Sequence, residues 1–459
     1  MVGRHAVVVG GSVAGLTAAR ALSSRFERVT VLDRDELPSE AQNRRGAPHA
    51  RHAHALLIGG RLALEKLFPG LTAEMTASGA VPWDPGNDLL FHQMGAFRIP
   101  YPTGMLGVSM TRAFLEFSLR RRVSALPNTE LRDQTSVAGL VGGPDRVTGV
   151  ELEAGEVIEA DLVVDASGRS SARTDRWLEQ LRCSVPEVDT VKIDVGYTTR
   201  LLRRRPGETL TEMGGLLYLL ASISPGDKRA AAAFAVEGDR WLVTLGGWHR
   251  SYAPVDPAGF AQFAAGLPVP HIADLLARAE PLDEGNAPRF AYPTSRRRRF
   301  ERLRRPPAGY VALGDAICSF NPLYGQGMTV AILEALELGR CLDRFGSASA
   351  EMTRKYFHTV GKLIDMPWQI ATAGDFIFPE TVGPKAPGTD IMNWYVRQVT
   401  LASHTSVDVH RVMLEAQQML SEPSALMRPA VIARSLRAAR RSPARKSQAT
   451  PRREDVPVP

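Results

Sequence analysis

The chain has 459 residues, 44% of them hydrophobic and 23% charged, which is ordinary globular composition with enough apolar material for two or three packed units. Its formal charge of +7 invites a nucleic-acid reading. Residues 434 to 459, however, hold eight Lys or Arg against Glu454 and Asp455, so the body of the chain is nearly neutral and no nucleic-acid partner is expected.

Cys183, Cys318 and Cys341 have neither metal-ligand spacing nor the even count of a disulfide framework. A reducing cytoplasm fits them, and no metal is expected. Arg4 and the apolar run to Leu22 imitate a signal peptide, but a glycine turn interrupts the run. No stretch approaches the roughly 18 apolar residues of a membrane span.

The first element is "HAVVVGG", β-branched and apolar like a parallel strand buried on both faces. A helix is predicted over 13–24 and a second strand at "RVTVLD". Gly10, Gly11, Ser12, Val13, Ala14 and Gly15 form the intervening turn, a GxGxxG pattern with its middle glycine replaced by Ser12. Unpaired amides at such a helix start meet a pyrophosphate, and Asp33, followed by Arg34 at the second strand end, is placed to receive ribose hydroxyls. Gly10 supplies the tight turn, and Gly15 lets helix and strand approach. Ser12 either sets the phosphates farther off or donates its hydroxyl to them. At this point NAD and FAD both remain open.

Further along, "PHARHAHALL" brings Arg51, His52 and His54, and "SMTRAFLEFSLRRR" starts a helix at Arg112. The histidines, at i and i+2, suit neither one helical face nor a complete metal site. After the strand "TELRDQT" comes Val137, and "ADLVVDASGRSSAR" carries Asp165 and Ser167. The stretches from "TVKIDVGYTTRLLRR" to "NAPRFAYPT" read as a mostly antiparallel sheet, with a hairpin at Gly238 and Asp239. Tyr197, Tyr218, Trp241 and Trp248 lie on or beside these strands as packing residues. "SRRRRFERLRR" reads as a solvated basic connector.

The strand "YVALGD" then ends in Asp315, and a loop with Pro322, Gly325 and Gly327 leads into a helix bearing Glu334, Glu337 and Arg340. This second acidic strand end is one more polar anchor than a plain NAD site needs. Helices broken at prolines such as Pro367 follow, with Trp368, Phe376, Phe378, Trp394 and Tyr395 as candidates to close a cavity. Residues 435–459 read as a basic, disordered tail.

"GDAICSFNPLYGQGM" resembles the GD motif of FAD-dependent monooxygenases of the para-hydroxybenzoate hydroxylase type, over roughly residues 5 to 345. Together with "PHARHAHALL" it looks most like an actinobacterial branch that includes polyether epoxidases and is similar to squalene epoxidase. The resemblance implies an α/β fold: a Rossmann-like FAD domain from residues 1–75, 105–185 and 296–345, a mostly antiparallel substrate domain from 76–104 and 186–295, and a helical region over 346–434. It implies that Asp315, after Gly314, holds the ribityl chain, and that Pro322, Gly325, Gln326, Gly327 and Met328 line the flavin edge. In the same reading Arg112 and Arg51 face the FAD phosphates and the Val137 backbone meets the adenine. Asp165 stands in for the aspartate that Ser167 replaces in the second fingerprint.

The implied chemistry begins with reduction by NADPH or NADH, directly or through a flavin reductase. O2 is then activated as a flavin C4a-hydroperoxide, kept dry against the loop from Pro322 to Met328. The expected product is an epoxide or phenol made from a hydrophobic small molecule such as a polyene polyketide or isoprenoid. No base pair for phenol activation is evident, which favours epoxidation. A reductase of an isoprenoid-type double bond, an aromatic hydroxylase and a flavin-binding protein without turnover are the alternatives. The WxWxIP element of flavin halogenases is missing.

Overall fold

The structure is a computed structural model that describes residues 1–169, 171–212, 214–221 and 224–444. The chain opens with β1 (Gly3–Val9), α1 (Val13–Ser23) and β2 (Phe26–Leu32), close to the predicted βαβ unit. A 3-10 turn at Pro48–Arg51 precedes α2 (Ile58–Leu67) and α3 (Leu71–Ala77), then β3 (Val81–Trp83), β4 (Leu89–Gln93), β5 (Ala96–Phe97) and β6 (Gly107–Ser109). Next come α4 (Arg112–Ser124), β7 (Thr129–Arg132), β8 (Val137–Gly142), β9 (Val147–Leu152), β10 (Val157–Glu159), β11 (Leu162–Asp165) and α5 (Ser171–Gln180).

A short strand from Tyr310 to Ala312 completes a five-stranded sheet with β11, β1, β2 and β7, every neighbouring pair parallel. Val7 and Val8 of β1 are fully buried, as a strand covered on both faces requires. Strands β8 to β10 form a separate antiparallel sheet.

The second large sheet holds β12 (Val188–Arg203), β13 (Leu217–Ala221), β14 (Arg229–Val236), β15 (Arg240–Gly247) and β16 (Arg289–Arg298), with α6 (Pro257–Ala265) and α7 (His271–Arg278) inserted before β16. The Tyr310–Ala312 strand is β17, and β18 (Cys318–Ser319) follows it. The order is β18-β16-β12-β15-β14-β13-β4-β5, antiparallel except where β13 meets β4. The predicted hairpin joins β14 to β15, with Gly238 and Asp239 both at positive φ. The two-residue period of β14 divides its side chains. Ala231, Ala233 and Ala235 pack with Phe260 and Ile272 of α6 and α7, while Ala232, Phe234 and Val236 face the other way, with Trp83 and Leu217.

The chain closes with α8 (Gly327–Phe345), α9 (Ala350–Asp375), α10 (Thr389–Ala402), α11 (Val407–Gln417) and α12 (Pro429–Ala439). Four expectations need correction. Pro367 does not break its helix: α9 runs through it, with Ile364, Trp368 and Ala371 buried on either side. The basic run at 295–305 is not a solvated connector, nor does the substrate sheet stop at 295, because β16 continues to Arg298. Arg297 and Arg298 are 1% and 2% exposed, paired with Glu301, Asp365 and Asp175. A buried guanidinium needs such partners, and Asp365 and Asp175 come from distant positions. The helical region also continues past 434: Ser435 and Ala439 are buried, and residues 445–459 lie outside the described residues.

Candidate functional site

Three turns meet at the carboxyl ends of the parallel strands. Gly10 has φ +114°, and a Cβ there would lie 2.4 Å from the Ala166 carbonyl oxygen. A Cβ on Gly15 would fall 1.7 Å from the Gly10 oxygen, so α1 can leave β1 this tightly only with glycine at that position. Gly314, at φ +66°, comes against the first turn of α1, its added Cβ 3.0 Å from that of Ala14. Two motifs 300 residues apart in the sequence therefore touch.

Beside the first turn sits a closed cluster of charge. Arg112 opens α4 and is buried, bonded through Nε to Glu116 Oε1 at 2.8 Å and through Nη2 to Ser12 Oγ at 2.7 Å. Ser12 in turn donates to Glu116 Oε1 at 2.5 Å, so its hydroxyl points to α4 and not into the turn. Arg44 reaches Glu116 at 3.1 Å, Asp35 at 3.1 Å and Asp33 at 3.4 Å. Burial pushes the Glu116 carboxyl up, but Arg112 and Arg44 outweigh it and hold the group at about 2.

Asp33 is buried and accepts from the Gly11 amide at 2.6 Å and the Asp35 amide at 2.9 Å. A carboxylate has about four lone-pair sites, so this leaves it acceptor capacity. Sequence reasoning missed Arg44 and Glu116. The structure instead leaves Arg34 and Arg51 exposed, because the loop after β2 turns Arg44 inward. Arg51 is therefore not brought to the cluster. Asp165 does not take over for Ser167 either: it is fully buried, accepting from the Ser167 amide, Thr174 Oγ1 and the Tyr310 hydroxyl. Val137 begins β8 and is buried.

The strand predicted to end in Asp315 stops at Ala312 as β17, and Asp315 lies in the 3-10 turn Gly314–Ala316 that follows. The residue is exposed, yet desolvation by the protein around its carboxyl pushes that group above its usual range, against the opposing pull of Arg169 and Arg112. Glu334 on α8 turns inward and accepts from the Gly314 amide at 2.5 Å. Burial raises its carboxyl to about 8.

The loop Pro322–Tyr324 then leads through Gly325, at φ +68°, into α8. Gln326 Oε1 is buried without a partner among the described residues, and a Cβ on Gly327 would meet nothing within 4 Å. An exposed carboxylate, an orphan acceptor and open space above a glycine are what a bound ribityl-flavin would use. Asp315, Gln326 and Gly327, together with the Gly10–Gly15 turn, are thus residues that could hold an FAD.

Pro322, Gly325 and Gln326 also form one wall of a cavity of about 800 Å³, within the usual range for small-molecule sites. Leu217, Leu219, Phe234 and Ala232 of the large sheet form another, and α9, α10 and α11 close it. No Asp, Glu or Lys lines it among the described residues. Phe376 and Tyr395 reach it as expected, whereas Trp368 and Phe378 are in the core and Trp394 is outside; Tyr197 and Trp248, expected only to pack, also line it.

His54 lines the cavity and His52 donates to or accepts from Thr199 Oγ1 at 2.7 Å. Burial holds both rings neutral, near 3. Behind the loop, and missed from the sequence, Asp375 accepts from Trp248 Nε1 at 2.8 Å and Asn321 Nδ2 at 2.7 Å. Burial raises its carboxyl to about 7, against these donors and the Tyr324 hydroxyl. Among the described residues no three His, Cys, Asp or Glu side chains converge as a metal set, and no helix is long and apolar enough to cross a membrane.

No protein-family model matches the chain. It is 33% identical over 403 residues to protein Rv3254 of Mycobacterium tuberculosis, covering 83% of this chain and 82% of that one. The chain belongs to the Rv3254 family. More distantly, it is 23% identical over 363 residues to the chloroplastic zeaxanthin epoxidase of Spinacia oleracea, covering 76% of this chain but 49% of that protein, so it spans about half the epoxidase's length.

Among solved structures, PqsL of Pseudomonas aeruginosa, described as a probable FAD-dependent monooxygenase, superposes with a TM-score of 0.59 at 17% identity, covering 82% of this chain and 97% of PqsL. For 2-methyl-3-hydroxypyridine-5-carboxylic acid oxygenase the TM-score is 0.60 at 19% identity, over 81% and 90%. A flavoprotein/dehydrogenase from Cytophaga hutchinsonii reaches 0.67 at 13% identity, over 97% and 100%. This Rv3254-family chain therefore has the α/β fold of flavoprotein monooxygenases.

Proposed function

We propose that the protein is an FAD-dependent monooxygenase that transfers one atom of O2 to a large, neutral, apolar molecule, as an epoxide where that molecule carries an alkene. The observation that carries this reading is the cavity: about 800 Å³, free of Asp, Glu and Lys on its described lining, and walled by the same Pro322–Gln326 loop that fits a flavin edge. The named likenesses to an epoxidase and to oxygenases support the same class.

FAD, when bound, supplies the reductive activation of O2. The chain's own contributions are positional. The α1 amides and Arg112 would neutralise the pyrophosphate, and Asp33 and Asp315 would accept ribose and ribityl hydroxyls. The loop amides of Gly325 to Met328 would line the reactive edge of the flavin, and the apolar walls would exclude water from it. An alkene needs placement and a proton donor, not a base to ionise it. That suits a lining without carboxylates better than phenol hydroxylation does. A cavity of this size and polarity accepts a polyene or isoprenoid chain, in keeping with the likeness of "PHARHAHALL" and "GDAICSFNPLYGQGM" to polyether epoxidases.

Reducing equivalents come from NADPH or NADH, directly or through a flavin reductase. The test is incubation of the flavin-loaded protein with candidate polyenes under ¹⁸O2 and NADPH, with and without a reductase. Label in the product supports the proposal. Saturation of a double bond without O2 uptake identifies a reductase instead, and label from water rules out an oxygenase.

A further inference from the structure

We propose that the surface formed by residues 382–396 and α12 docks on an anionic lipid bilayer, bringing the mouth of the cavity against it. Large apolar side chains at the surface concentrate here: Val382, Ile391, Met392, Trp394, Val396 and Met427, with Ile391 74% and Trp394 55% exposed. The opposite face of α10 already has its partners, since Tyr395, Val399 and Ala402 pack against α11 and α12. The outward face is therefore surplus to the core. A tryptophan amid aliphatic side chains suits the bilayer interface.

Beside α10, α12 and its flanks present Arg428, Arg434, Arg437, Arg440 and Arg441, all exposed, with no acidic residue from 428 to 441. Arg434 has one exposed partner, Asp408. On the apolar segment, Asp390 is paired with Lys385. The charge thus favours an anionic surface. It disfavours a second copy of this chain, because a two-fold contact through this face would set arginines against arginines. Met392, Val396 and Met427 are both exposed and part of the cavity lining, so the patch is continuous with the cavity's exit. A lipophilic molecule dissolved in the bilayer would then enter without crossing water. The inference rests on this geometry and holds whether or not the protein is an oxygenase.

The test is co-sedimentation of the full chain with vesicles of phosphatidylcholine alone or mixed with phosphatidylglycerol. Binding to the mixed vesicles is expected, at least tenfold weaker to phosphatidylcholine alone and at least tenfold weaker for the Ile391→Asp/Trp394→Asp variant, whose FAD content and thermal transition report an intact fold. Of six tryptophans Trp394 alone is exposed, so emission should shift to the blue on vesicle addition in the wild type and not in Trp394→Phe. Failure to sediment with either vesicle overturns the proposal. So does a double variant that binds like wild type, which would assign binding to residues beyond 444. Self-association that Ile391→Asp abolishes, without vesicle binding, makes the face a contact between copies. Lack of FAD with vesicle binding intact would count against the flavin reading alone.

Discussion

The two halves of the site are built by opposite means. On the nucleotide side, a Cβ added at Gly10 or Gly15 would meet backbone at 2.4 or 1.7 Å and one at Gly314 would meet the Ala14 methyl at 3.0 Å, and Arg44, Arg112, Asp33, Asp35 and Glu116 lock one another in place. On the cavity side, the described walls hold apolar and neutral polar side chains with Arg397 as their one cation, and the small residues of β14 leave room rather than fill it. The first half tolerates almost no change in shape, and the second tolerates change in everything except polarity. A cofactor that is always the same and a substrate that distinguishes one enzyme from the next would require that division.

The contrast breaks most visibly at Gly15. Gly15→Ala should abolish folding or cost more than ~4 kcal/mol, read by thermal unfolding. Gly327→Ala, with nothing within 4 Å of the new methyl, should leave stability within about 0.5 kcal/mol and still weaken FAD binding, because the methyl enters the flavin slot. Next in size is Glu116→Ala, which takes the carboxylate partner from buried Arg112 and one of three from Arg44 and should cost about 3 kcal/mol. Because Glu116 ionises at about 2 in the folded protein, its support is complete above the ordinary carboxylate range and fades as pH falls toward 2. Wild type should lose this advantage over the variant in acid.

A smaller effect is expected at Asp315. Asp315→Ala should raise the FAD dissociation constant about 10- to 100-fold, the ~1.5–3 kcal/mol of a charge-assisted hydrogen bond, with the thermal transition little moved. The smallest concerns Asp375, whose carboxyl is raised to about 7. The fold holds its proton, so its contribution is present at low pH and declines as pH rises through 7. Asp375→Asn should flatten that decline in a pH series of thermal transitions.

What was legible in the sequence follows the same division. Gly10, Gly15 and Gly314 sit where only backbone geometry matters, so spacing along the chain located them. Arg112 was marked by its place at a helix start, and Glu116 carried a readable signal, the i,i+4 spacing from Arg112. Arg44 did not: it shares an irregular loop with Arg45 and Arg51, and nothing local distinguishes the arginine that folds inward. The basic run at Arg297 and Arg298 looked solvated because its partners, Asp175 and Asp365, lie more than 60 residues away on either side. Asp375 was likewise invisible, since its role depends on Trp248 and Asn321 arriving from two other elements. The cavity was foreseen as an apolar sheet face closed by the helical region, Tyr395 of α10 included, but the wall that α11 supplies was not.

The account stands on one coenzyme held by both glycine turns, and the flavin content of the purified protein tests it most directly. After loading with FAD and removal of excess, wild type should carry an equimolar complement with an absorption spectrum shifted from that of free FAD, and Asp315→Ala should lose most of it on dilution. A colourless wild-type protein that does not quench FAD fluorescence on titration would contradict the account.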